Sequence, residues 1–223
     1  MEKFSTEHKE ITKQENTEKK DQTQRNEDDP PKLDELHDNT HFDIKELVSL
    51  ESRLDSLENV KVANYPNGDT YKGQLNSEKK RHGYGLYKMS NGTVYCGQFD
   101  NGHPCGIGHY TYASGDQYFG QIAEKDLNGY GKYVSKNGTI HEGYYKDGSR
   151  NGYGRMWAPN KSFFSGMYKN DVIEGEGRYR YPSGDVYVGE FRAGKFHGQG
   201  TYTFAGNGSQ IKGQFADGKP LKK

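Results

Sequence analysis

One glycine recurs along this chain at an almost constant interval: Gly73, Gly97, Gly120, Gly143, Gly166, Gly189 and Gly213, at steps of 23 or 24 residues. A period of that length makes each copy one supersecondary unit, which buries its apolar face only by stacking on its neighbours. A Gly-x-Gly element keeps the same period, at Gly83/Gly85, Gly106/Gly108, Gly129/Gly131, Gly152/Gly154, Gly175/Gly177 and Gly198/Gly200. Inside one copy Tyr95, Gly97 and Phe99 alternate, as do Gly106, Gly108, Tyr110 and Tyr112. Alternation by two is the strand period. Asp100-Asn101-Gly102 between the two runs is a hairpin signal, and Ser114-Gly115-Asp116 turns the chain into the next copy. Each copy therefore predicts two antiparallel strands, and the series predicts one meander.

Only 30% of residues are hydrophobic, while the chain holds 30 glycines and 18 tyrosines. The core must then be aromatic rather than aliphatic. Strand glycines mark a close approach by another group, and here they share a face with the aromatic positions. A ring from one strand can lie flat over the bare backbone of the next. Three columns follow: Tyr71, Tyr95, Tyr118, His141, Phe164, Tyr187; then Leu75, Phe99, Ile122, Tyr145, Tyr168, Phe191; then Tyr87, Tyr110, Tyr133, Met156, Tyr179, Tyr202. Cross-strand aromatic pairs of this kind stabilise a sheet.

The Tyr-x-Gly-x-Phe, Gly-x-Gly and Tyr-x-Tyr-x-x-Gly elements resemble the MORN repeat (membrane occupation and recognition nexus). The resemblance covers residues 63–219, with six full copies and a partial seventh, Ile211 to Gly218. Copy one carries an extra residue between Leu75 and Gly83. His141 and Phe164 replace the leading Tyr, Lys161 replaces a turn glycine, and Asn207-Gly208-Ser209 lies in a lengthened turn. The fold that the resemblance implies is mostly β: an elongated, curved, single-layer antiparallel meander of hairpins. About 13 strands at roughly 4.8 Å spacing would span near 60 Å. Its open edges, at Tyr71 and Phe215, would allow a homodimer unless covered.

The first glycine is Gly68 and the first tyrosine Tyr65, so the repeats occupy only the later part of the chain. Charge divides at the same place: residues 1–59 hold 9 Lys/Arg against 17 Asp/Glu, and residues 60–223 hold 22 against 14. Residues 1–39, polar and with Pro30-Pro31, read as a disordered acidic tail. Residues 40–60 read as an amphipathic helix. Thr40 and Asp43 suit a capping box, and Leu47, Leu50, Leu54 and Leu57 form one apolar stripe. That stripe suits a cap over the open end of the sheet, with a dimer or partner seam as the second reading; the Lys-rich end, Lys219 to Lys223, is the other candidate cover. Residues 61–223 are the repeat domain.

No apolar h-region follows Met1, so no signal peptide is expected. No run approaches the roughly 20 apolar residues of a membrane span. Cys96 and Cys105 set up no disulfide framework, which suits a reduced, cytoplasmic setting. Gly189–Lys195 and Gly213–Lys219 have phosphate-loop glycine spacing. Phe196 and Pro220 then stand where Ser or Thr is needed, in hairpins rather than before a helix. The histidines, His82 and His197 among them, lack ligand spacing, and no carboxylate pair is enclosed. Asn91-Gly-Thr93 and Asn137-Gly-Thr139 fall in repeat turns and are discounted as glycosylation sites. No catalytic residue, cofactor or metal is expected. MORN repeats also accompany catalytic domains, but no segment outside these repeats is long enough to be one.

The face without glycine is mostly small or polar in early and late copies. In the middle it carries Phe119, Tyr130, Tyr144, Tyr153, Trp157, Phe163 and Met167, including the sole Trp. Clustered aromatics off the core mark interaction sites, so these residues are the candidate partner face. Lys132, Arg155, Arg178 and Arg180 are its candidate basic rim, suited to an acidic partner. The expectation is a non-enzymatic scaffold with protein partners. Its placement at the cytoskeleton or cilium is what resembling MORN implies, by analogy with radial-spoke heads and protist cytoskeletons. The alternative is a peripheral membrane adaptor binding acidic phospholipid. Scattered rather than clustered basic residues argue against it. No nucleic-acid motif is present.

Overall fold

The computed structural model describes residues 44–123 and 125–222. The tail at 1–39 and the Thr40–Asp43 cap lie outside them. A helix, α1 (Ile44–Arg53), runs into a 3-10 turn at Leu54–Ser56. Fifteen strands follow: β1 (Val60–Asn64), β2 (Thr70–Leu75), β3 (Arg81–Lys88), β4 (Val94–Asp100), β5 (His103–Thr111), β6 (Gln117–Ala123), β7 (Asp126–Val134), β8 (Ile140–Lys146), β9 (Ser149–Trp157), β10 (Phe163–Lys169), β11 (Val172–Arg180), β12 (Val186–Arg192), β13 (Lys195–Thr203), β14 (Gln210–Ala216) and β15 (Lys219–Pro220). They form one open sheet in chain order, every neighbouring pair antiparallel.

The meander is as expected, with two more strands than the repeat count gives. β1 pairs with β2 ahead of the first copy, and β15 pairs with β14 after the last. The edges are therefore β1 and β15, not Tyr71 and Phe215. α1 does not cap an end. It packs on one face, where Leu50 and Leu54 cluster with Leu86 and Cys96, and with Val94 and Leu57. The helical segment ends at Ser56, where Leu57 turns extended, and Val60 already belongs to β1.

The register explains the glycines. Tyr118 pairs with Tyr133 and Gly120 with Gly131, and on the other side Gly108 pairs with Gly120. The Tyr118 ring lies over Gly131: a Cβ there would collide with its Oη and stand 2.5 Å from Cε2. Its hydroxyl reaches past the glycines and donates to the Gln121 carbonyl at 2.9 Å. The same bond recurs from Tyr71 to Gln74, Tyr95 to Gln98 and Tyr187 to Glu190. These rings are at most 1% exposed, and burial of each contributes roughly 2–3 kcal/mol. The rings form two clusters, Tyr71 to Tyr145 and Phe164 to Phe215. Between them stands His141, edge-on to both Tyr145 and Tyr168 and hydrogen-bonded through Nδ1 to the Tyr145 hydroxyl at 2.7 Å.

Each repeat hairpin also carries a bulge just after the first-strand glycine. The first glycine of the following Gly-x-Gly absorbs it; Gly129, for example, sits at φ +89°, where a side chain is strained. Lys161, in place of a turn glycine, takes φ +69° itself.

Candidate functional site

Strand alternation leaves the outer face, opposite the glycines, with three rows running across the strands. The middle row passes through Leu86, Cys96, His109, Phe119, Lys132, Glu142, Arg155, Ser165, Arg178 and Val188, each paired with the next. A second row, beside the turns between copies, holds Ile140, Trp157, Phe163 and Arg180. The third lies beside the bulges and holds Tyr130 with Tyr144, then Tyr153 with Met167.

The bulge row has a structural job in four copies. The side-chain Oε1 of Gln74, Gln98, Gln121 and Glu190 accepts a hydrogen bond from the backbone N–H of Tyr84, Ile107, Tyr130 and Gln199, at 2.9, 2.9, 2.7 and 2.8 Å. That bond closes the bulge. In copies four and five the capping position holds Tyr144 and Met167, which have no carboxamide or carboxylate to offer. Instead they stand 43% and 41% exposed beside Tyr153, itself 50% exposed. Two large side chains, with a third beside them, thus stand partly exposed where the fold elsewhere places a bonded polar group.

The other predicted aromatics are placed differently. Phe119, Trp157 and Phe163 are buried, at 1%, 4% and 3% exposure, and Tyr130 is half-buried. Phe119 stacks on His109 with ring centroids 4.2 Å apart, and Trp157 tilts against Phe163 at 5.5 Å. The basic residues divide in the same way. Lys132 is only 2% exposed, so it lies beneath a rim rather than on one. Burial brings its ammonium down to about 8, against the pull of Glu142 in the opposite direction. Glu142 accepts from the Tyr130 hydroxyl at 2.5 Å and pairs with Arg155 at 3.2 Å. Arg155 also lies over the Trp157 ring at 5.4 Å. Arg178 and Arg180 are half-buried.

On the glycine face a cleft of about 340 Å³ opens beside His141, lined by Leu127, Tyr133, Tyr145, Arg150 and Asp171 among others. Its charged groups satisfy each other, Arg150 donating to Asp171 at 2.9 Å. Burial holds His141 down at about 3 and His109 at about 4, so both rings are neutral at physiological pH. Both cysteines are free. Among the described residues no group of three or more His, Cys, Asp or Glu could hold a metal ion. No helix among them is long and apolar enough to cross a membrane.

A repeated hairpin sheet with one tiled face and one variable face defines a β-repeat protein. The chain belongs to the MORN-repeat family: the family model matches six consecutive repeats, at residues 71–94, 95–117, 118–140, 141–163, 164–186 and 187–209. No curated protein sequence matches it. Among solved structures it is similar to the TCP domain of Drosophila melanogaster SAS-4 (dCPAP) in complex with a proline-rich motif of Ana2, at 17% identity and TM-score 0.43, covering 69% of this chain and 83% of that one. It is also similar to the TCP10 domain of Danio rerio CPAP, at 13% identity and TM-score 0.43, covering 69% and 73%.

Proposed function

We propose that this chain is a non-enzymatic scaffold that holds a protein partner on the outer face of repeats three to five, and that its partners belong to the cytoskeleton or cilium. One observation carries the first part. Tyr144 and Met167 are exposed, with Tyr153 beside them, where four other copies spend the same position on a bonded Gln or Glu. Half-exposed tyrosines beside a methionine make contact area that rewards a partner. The cytoskeletal placement rests on the family analogy. The membrane-adaptor reading has less support. Phospholipid headgroups need free basic side chains in a cluster, whereas Lys132 is buried and Arg150 and Arg155 are ion-paired.

Proximity labelling in the protein's own cells, from the tagged full-length chain and from its Tyr144→Gln/Met167→Gln variant, tests the reading. Cytoskeletal or axonemal proteins labelled by the wild type and lost with the variant support it. Undiminished labelling by the variant counts against the face. Enrichment of membrane proteins and lipid kinases favours the adaptor instead.

A further inference from the structure

Three side-chain ties recur along the repeats, and each fixes one hairpin. The first runs from the leading tyrosine hydroxyl to the carbonyl three residues on, at Tyr71, Tyr95, Tyr118 and Tyr187. The second is the bulge cap of Gln74, Gln98, Gln121 and Glu190. The third staples the turn before a hairpin to the turn after it. Asp69 accepts from the Tyr87 hydroxyl and from the Ser90 N–H. Asp116 accepts from the Tyr133 hydroxyl at 3.0 Å and the Lys136 N–H at 2.8 Å. Asp185 accepts from the Tyr202 hydroxyl and the Ala205 N–H, both at 2.9 Å. Copies one, three and six carry all three ties, and copy two carries the first two.

Copies four and five carry none of them. His141 and Phe164 stand in place of the leading tyrosine. The Nε2 of His141 has no hydrogen-bond partner among the described residues, and Phe164 has no donor to offer. Tyr144 and Met167 stand in place of the cap. Thr139 and Ser162 replace the aspartate, while Pro159 and Pro182 occupy the positions whose N–H it would bind. Proline has no N–H. Met156 replaces the tyrosine whose hydroxyl would complete the copy-four staple. The buried rings of the glycine face part at the same place: one cluster ends at Tyr145 on β8 and the other begins at Phe164 on β10. Four features of the sheet thus change together on two adjacent hairpins.

The sheet is continuous there. The ladders from β8 to β11 keep their pairing. Arg150 donates through Nε and Nη2 to the carboxylate and carbonyl of Asp171, and Asn151 donates to Asn170 at 3.0 Å, so the hairpin ends of copies four and five remain joined. On the outer face Glu142 pairs with Arg155, and Trp157 packs on Phe163. Paired strands twist against each other by anything from about 10° to 35°. Backbone pairing therefore keeps strands together without fixing the angle between them, and side-chain ties narrow that angle.

We infer that copies four and five are a hinge: copies one to three form one stiff body, copy six with the partial seventh forms another, and the ladder between them varies in twist, with Arg150 and Asp171 joining its hairpin ends. The cleft beside His141 lies in this joint, with Tyr133 and Tyr145 before it and Asp171 beyond. The exposed row of Tyr144, Tyr153 and Met167 lies on the outer face of the same two hairpins, so the bend sets the shape of the surface found there.

Spin-label distance distributions in the full-length chain, with Cys96→Ala and Cys105→Ala, test the hinge. Labels at Asp126→Cys and Arg192→Cys span the joint. Labels at Glu78→Cys and Asp126→Cys span a similar number of strands within copies one to three. All three label positions are exposed. The distribution across the joint should be about twofold broader than that within the first body, given the range of twist open to untied strands. Adding His141→Tyr, Tyr144→Gln, Phe164→Tyr and Met167→Gln restores the first two ties to both hairpins and should narrow the joint to the width of the first body. Equal widths for the two spans before that change overturn the hinge. Undiminished breadth after it overturns its origin in the missing ties. Should the restored chain fail to fold, the comparison of the two spans decides alone. Neither readout needs a partner, so the hinge and the partner face can fail separately.

Discussion

The two faces of this sheet are built from the same strands and do opposite things with their side chains. On the glycine face position after position repeats: Tyr71, Tyr95, Tyr118, Phe164 and Tyr187 are all at most 1% exposed, over glycines that admit nothing larger. On the outer face one row runs from Leu86 under α1, through buried Lys132, to exposed Val188. Constancy on one face is what stacking requires, since each ring packs on its neighbour's backbone. Variation on the other is what remains free to be specific. The two faces meet at copy four, where His141 interrupts the aromatic column and Tyr144 abandons the bulge cap.

The comparison breaks most easily at a glycine. Gly131→Val should destabilise the chain by about 3–5 kcal/mol, the usual loss on removing a buried aromatic, because its Cβ would displace the Tyr118 ring. Thr201→Val on the outer face should change stability by less than about 0.5 kcal/mol. Equal shifts of their urea midpoints would refute the division between the faces.

A second effect, bounded from above by the slope below, should come from acid. His109 and His141 are held neutral when folded, at about 4 and about 3, and take up protons near their ordinary value once unfolded. Between roughly pH 6.5 and 4 the unfolded chain binds more protons, so stability falls as pH falls, with a slope of at most about 1.4 kcal/mol for each ring over each step of one in pH. Urea midpoints at pH 7, 5.5 and 4 measure the slope. His141→Tyr, which restores the column, should flatten it; an unchanged slope would deny His141 its part.

Much of this was legible in the sequence. Glycine spacing and alternation gave the meander, the hairpins and the aromatic columns. β1 was not legible, because Val60–Asn64 has neither the glycine nor the aromatic of the repeat and joins the sheet only by pairing with β2. The leucine stripe showed a helix with one buried side but not which surface would bury it. Alternation alone put the side chains of the candidate face on the side of the sheet opposite the glycines. Their division into covered and exposed sets follows from rows that run across strands, at right angles to anything a linear pattern displays. The Gln caps are visible as a letter repeated after the first three repeat glycines, at Gln74, Gln98 and Gln121. Their meaning needed the bulge, which brings that side chain against a backbone N–H of the next strand.

The caps supply the finer predictions. Gln121→Ala frees the Tyr130 N–H and should cost about 1 kcal/mol. The converse, Tyr144→Gln, should install the missing bond at Tyr153 and stabilise by somewhat less. Thermal denaturation of the pair checks both signs. Destabilisation by Tyr144→Gln would mean that the exposed tyrosine holds the sheet together rather than serving a partner.

The most direct test is the affinity of a recovered partner for the full-length wild type and for the Tyr144→Gln/Met167→Gln chain, with urea midpoints measured in parallel. The account predicts at least a tenfold loss of binding, about 1.4 kcal/mol, while stability stays equal or rises. Unchanged affinity, or a loss that merely follows a fall in stability, would contradict it.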